Sequence, residues 1–159
     1  PPALDALVSE VHAAVPAGFA VTFRRAQVDG ACPTRAPWLV VELSDVEGAV
    51  VVVATSQLTH QLAWASWPVD GELRRVDEGA GVELASNDFG GQGVTRRVWA
   101  AGPDGSFVRI RASGFGAPSQ DGWPTTTAPA TVAGGGTAAV GPAPLTLAEM
   151  EALARVLLR

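Results

Sequence analysis

The stretch Val94–Ala112, VTRRVWAAGPDGSFVRIRA, constrains the fold more than any other part of the chain. Two arms of alternating residues flank a connection that ends in Pro103-Asp104-Gly105. Proline presets φ for a type I turn, and Gly105 has no Cβ to oppose the left-handed conformation that reverses the chain. The segment therefore reads as an antiparallel hairpin. Its period of two separates the faces: Val98, Val108 and Ile110 point into a core, while Arg97, Arg109 and Arg111 point out and Trp99 and Phe107 cover the outer surface.

Further period-two segments precede it. Phe19–Phe23, Trp38–Leu43 and Ala49–Ala54 alternate as strands, the last two joined across Asp45–Gly48, and Leu73–Val76 with Val82–Ser86 form another hairpin around Gly79-Ala80-Gly81. Asp29–Pro37 and Asn87–Gly93 read as loops. Thr55–Pro68 fits either a helix or a strand, with extended structure favoured. Two helical stripes bracket the strands. Leu4, Leu7, Val8, Val11 and Val15 recur at helical spacing until Pro16 and Gly18 stop them. Met150, Leu153, Ala154 and Leu157 form the second stripe, over 146–158, with Thr146 and Glu149 at capping-box spacing.

This order predicts one α+β domain over 1–159, an antiparallel β-sheet of about five to seven strands with an N-terminal and a C-terminal amphipathic helix packed on it. A chain of 159 residues buries roughly 70% of its unfolded surface, enough for a core without metal or disulfide staples. Residues 113–144, rich in Gly, Pro and Thr, read as a linker or long loop before the closing helix.

The net charge of −5 argues against nucleic acid or an anionic membrane surface as partner. Six arginines lie between Arg74 and Arg111, but seven acids occupy Asp70–Asp104, so cross-strand ion pairs on a solvated face are expected. Gly48–Ala54 is too short to span a bilayer.

Catalytic chemistry finds little support. Gly90-Gly91-Gln92-Gly93 runs into a strand and not into the helix that a phosphate loop needs. Asp88-Phe89-Gly90 matches the kinase magnesium triplet in letters only. His12 and His60 are the only histidines and Cys32 the only cysteine. Neither histidine has a second nitrogen or sulfur ligand at metal spacing, and no serine sits in a Gly-x-Ser-x-Gly elbow. Paired carboxylates, for example Glu42 with Glu83, are conceivable on outward strand positions. No catalytic residue, metal or cofactor is assigned. Trp64, Trp67, Trp99 and Trp123 remain as a possible binding surface, since an indole near a turn is either a core plug or a contact.

Val98-Trp99, Pro103-Asp104-Gly105, Val108-Arg109-Ile110 and Leu145–Leu153 occur in an order that resembles the extracytoplasmic domains of actinobacterial lipoproteins and membrane-anchored regulators, over about half the chain. The resemblance implies a place in the cell envelope, or secretion, and a role in sensing or binding an envelope protein or small ligand. It carries no catalytic residue. Cys32 follows the first helix and so is not a lipid-bearing cysteine; the resemblance then implies a membrane anchor upstream of Pro1, or none. The reading is a non-catalytic extracytoplasmic binding or regulatory module. Two alternatives stand beside it: a small hydrolase using Cys32 or a serine with His60, and a carrier of a small apolar ligand held between the sheet and the closing helix.

Overall fold

The computed structural model describes residues 2–27, 38–57, 74–89, 93–117 and 140–158. Helix α1 (Pro2–Ala14) is followed by strands β1 (Ala20–Gln27), β2 (Trp38–Ser44), β3 (Val50–Gln57), β4 (Arg74–Asp77), β5 (Glu83–Phe89), β6 (Thr95–Ala101) and β7 (Ser106–Ser113), and then by helix α2 (Leu147–Leu157). The strands form one antiparallel sheet in the order β1-β2-β3-β7-β6-β5-β4. Two meanders, β1–β3 and β4–β7, thus meet along β3 and β7, which become the central strands. The fold is α+β.

Local chemistry builds each turn. At β6–β7 the Gly102 N–H donates to the Ser106 carbonyl at 2.9 Å and Gly105 takes φ 86°, while the Ser106 N–H donates to Asp104 Oδ1 at 3.0 Å. At β2–β3 the Asp45 carboxylate accepts from the N–H groups of Glu47, Gly48 and Ala49 at 2.9–3.0 Å, and Gly48 has φ 97°. Asp at the head of a turn mimics a backbone acceptor in this way. α2 begins with the full capping box, Thr146 Oγ1 accepting from the Glu149 N–H and the Glu149 carboxylate from the Thr146 N–H.

One buried cluster combines Leu4, Leu7 and Val11 of α1 and Met150, Leu153 and Ala154 of α2 with Val41, Leu43, Val51, Val53, Val98, Val108 and Ile110 of the sheet. Each fully buried aliphatic side chain here contributes roughly 1.5–3 kcal/mol. The alternate strand residues Trp38, Val40, Val52, Ala54, Ala85, Trp99 and Phe107 form a second buried cluster on the opposite face.

That second face corrects the expectation of a solvated outer surface. Trp99 and Phe107 are 3% and 1% exposed, and Arg97 and Arg111 only 7% and 6%. The alternation separates the faces as expected but does not say that one is wet, because interleaved tryptophan and phenylalanine make it apolar enough to be buried as well. Two other boundaries move. Asn87–Phe89 belongs to β5 and not to a loop, and β3 runs on through Gln57. Residues 58–68 of the ambiguous stretch lie outside the described residues, as do 28–37. The ends of 113–144 belong to the fold: Ser113 closes β7, and Gly141 and Ala143 are buried.

Candidate functional site

The two helices and one end of the sheet enclose a groove of about 640 Å³. α1 supplies Ala3, Ala6, Leu7 and Glu10 to its wall, and α2 supplies Val156 and Leu157. The floor comes from Ala26 of β1, Leu39 of β2, Thr55 and Gln57 of β3, and Ser106 of β7. Register explains this convergence: Ala26 pairs with Leu39, Leu39 with Thr55, and Gln57 with Ser106, so side chains from four successive strands share the helix-side face. Alanines at 3, 6 and 26 leave the space that leucines would fill. The volume lies inside the roughly 300–1,000 Å³ range of small-molecule sites, which are mainly apolar with a few placed polar groups.

The polar lining is rich in acceptors. The Ser106 hydroxyl donates to Asp104 Oδ1 at 2.6 Å, which leaves its lone pairs for another donor. Hydrogen bonds from the Ser106 hydroxyl and backbone hold the Asp104 carboxyl below the usual carboxylate range. Thr55, Gln57 and Glu10 make no side-chain hydrogen bond among the described residues. Among the described residues Glu10 is the only charged one lining the groove. On the elements around it, Arg24 of β1 pairs with Asp5 at 3.0 Å, and Arg155 of α2 donates from Nε to Glu78 at 2.8 and 2.9 Å.

On the opposite face, Arg111 of β7 is flanked in register by Val52 and Arg97, and Arg97 by Asn87. The Arg97 Nε donates to Asn87 Oδ1 at 3.1 Å and its guanidinium lies 5.2 Å from the Trp99 ring centroid. Arg109 lies 4.5 Å from the centroid of Trp38. The tryptophans thus seat the buried Arg97 and the half-buried Arg109 by cation–π contact. The cross-strand ion pair expected of this region occurs on the helix side, where Arg96 faces Asp88 at 3.7 Å and donates to the Leu145 carbonyl at 2.9 Å.

No family model, curated protein or solved structure matches this chain. Its site residues are therefore judged by their own geometry. Of the four tryptophans proposed as a contact surface, Trp99 is buried beside Arg97, and Trp64, Trp67 and Trp123 lie outside the described residues. Cys32 and His60 lie outside them too, and His12 is exposed on α1. Glu42 and Glu83 are not brought together, for β2 and β5 are four strand positions apart, about 19 Å at the usual spacing. Glu42 is fully buried and accepts from Thr22 Oγ1 at 2.9 Å, Thr22 lying at an irregularity in the β1–β2 register. Asp88 is committed to Arg96 and to the N–H of Gly93 at 3.0 Å. Among the described residues no three His, Cys, Asp or Glu side chains group to hold a metal, and no helix is long and apolar enough to cross a membrane.

The groove itself was not anticipated as a set of residues. Leu7 and Leu157 stood out as members of helical stripes, but Glu10, Leu39, Thr55, Gln57 and Ser106 carry no local signature, because the site exists only where distant elements converge.

Proposed function

We propose that this protein is a non-catalytic binding or regulatory module of the bacterial cell envelope, whose ligand is a small apolar molecule seated between α1, α2 and the sheet. One observation carries the reading: an open groove of about 640 Å³, walled by Leu7 and Leu157 and floored by Leu39, Thr55, Gln57 and Ser106. Two amphipathic helices packed on one sheet face form its sides, so the ligand would touch both ends of the chain. Such a contact couples occupancy to the docking of α2, which is what a sensing or carrier domain requires. The envelope location rests on the resemblance around Val98-Trp99, Pro103–Gly105 and Leu145–Leu153, with an anchor outside this sequence as its corollary.

The test uses N-phenyl-1-naphthylamine, a neutral apolar fluorophore that brightens on leaving water. Saturable brightening is expected with the intact chain. Ala6→Leu fills the groove from an exposed helix position without harming helix propensity, and it should weaken binding at least about tenfold. Leu39→Trp should do the same from the floor. No saturable signal, or a signal unchanged in both variants, overturns the reading. The location is tested separately by fractionating cells that express the native gene, where recovery in the cytoplasm would remove the envelope assignment.

A further inference from the structure

From the groove's charge and hydrogen-bonding balance we infer that its ligand is an apolar amine, an aliphatic body bearing one protonated amino end, and that Glu10 reads that end. The inference rests on the binding role proposed above and adds the chemical class of the ligand.

The apolar part of the argument is shape. Ala3, Ala6, Leu7, Ala26, Leu39 and Leu157 leave a space of ligand size that water occupies at a cost, since their surfaces offer it no hydrogen bonds. Removing that apolar surface from water drives binding of an aliphatic body.

The polar part is sign. Glu10 on α1 is the only charged group among the described residues of the lining, and none of the described arginines lines it. The described arginines on the surrounding elements have other places. On the helix side, Arg24 is held by Asp5 and Arg155 by Glu78, while Arg25 of β1 and Arg109 of β7 occupy register positions of the opposite face. A carboxylate or phosphate entering the groove would meet Glu10 with no counterion among the described residues and would lose hydration without one to replace it. An ammonium meets the reverse situation. Its three donors face the Glu10 carboxylate, and the lone pairs of Ser106 lie in the same lining because the Ser106 hydrogen is spent on Asp104. Thr55 Oγ1 and the Gln57 carbonyl supply further acceptors. An uncharged alcohol fits the body of the site but can offer Glu10 only one hydrogen bond and no opposite charge.

Competition against N-phenyl-1-naphthylamine with decylammonium, decanol and decanoate, each below its micelle threshold at pH 7, separates body from end group. Decylammonium should displace the fluorophore at a concentration at least about fivefold below that of decanoate, with the gap narrowing as salt is raised because the attraction is screened. Glu10→Gln should bring decylammonium and decanoate within about twofold and shift decanol by less than that, since a Gln carbonyl also accepts from a hydroxyl. Glu10 is exposed, so the substitution does not threaten folding. If decanoate competes as well as decylammonium, or if Glu10→Gln leaves the preference intact, the amine inference falls while binding itself stands. If the fluorophore does not bind saturably, or binds Ala6→Leu and Leu39→Trp as it binds the parent chain, both fall together.

Discussion

A Cβ on Gly114 would overlap the carbonyl oxygen of Gly141, so these two glycines pack backbone against backbone where the chain leaves β7 and where it returns toward α2. The contact is tied by hydrogen bonds from the Gly141 N–H to the Phe115 carbonyl and from the Gly114 N–H to the Val94 carbonyl, both 2.9 Å. Ala143 extends the anchorage, its N–H donating to the Gly93 carbonyl at 2.7 Å. Gly114→Ala should therefore push the returning segment around Gly141 away from the end of the sheet. A substitution that overpacks a tight site costs about 1–3 kcal/mol, and a domain of this size loses roughly 2–4 °C in Tm per kcal/mol. Calorimetry of the variant checks the drop, and an unchanged Tm would show that the return path is slack.

Leu153 tests how firmly α2 is held. It is 5% exposed, within the cluster that contains Met150, Val98 and Val108. Leu153→Ala should cost about 2–5 kcal/mol through lost burial and the cavity left behind, and Leu153→Asp more, since it also buries a charge. Amides of Met150–Leu157 should exchange slowly in the parent chain and fast in Leu153→Asp. Free exchange in the parent would mean that α2 does not dock.

Glu78 at the β4–β5 turn and Arg155 on α2 make acid sensitivity predictable. Hydrogen bonds from Arg155 hold the Glu78 carboxyl below the usual carboxylate range. A depressed acid stabilises the fold above its unfolded pKa, near 4.3, and that contribution disappears as pH falls through the folded value. The pair is partly solvated, with Arg155 43% exposed, so its worth is that of a surface pair, about 0.2–1 kcal/mol. Glu78→Gln should flatten the pH dependence of stability below about pH 5 by that amount. A variant that loses as much stability between pH 5 and pH 3 as the parent would contradict the assignment.

The Asp45 side chain braces the β2–β3 turn beside its backbone bond from the Asp45 N–H to the Ala49 carbonyl at 3.1 Å. Its Oδ1 accepts from three backbone N–H groups, so Asp45→Ala should leave those donors to water and cost about 1–2 kcal/mol. Asn retains one carbonyl oxygen at the same place and should recover most of the loss. Urea denaturation of the two variants side by side checks the order Asp, Asn, Ala.

The turn residues and the two helices were legible because their causes are local. Asp45–Gly48, Gly79–Gly81 and Pro103–Gly105 each combine a residue that tolerates or presets the turn with a positive φ at glycine, and Thr146 and Glu149 cap α2 within four residues of each other. Period-two alternation likewise separated Val98, Val108 and Ile110 from Arg97, Arg109 and Arg111. It failed at Asn87–Phe89, where polar residues that read as loop continue β5 because β6 offers them partners from Arg97 to Thr95.

The sequence alone thus determined the α+β class, the antiparallel pairing of neighbouring strands and the chemistry of their turns, all of which depend on residues a few positions apart. Only the tertiary structure decided that β3 and β7 lie side by side, that the arginine face is buried, and that Ala6, Leu39, Thr55, Ser106 and Leu157 line one groove. Alternation states that two faces of a strand differ, but not what covers either face. A cavity is bounded by surfaces whose separation in space is set by the packing of the whole domain, and no local pattern encodes that distance.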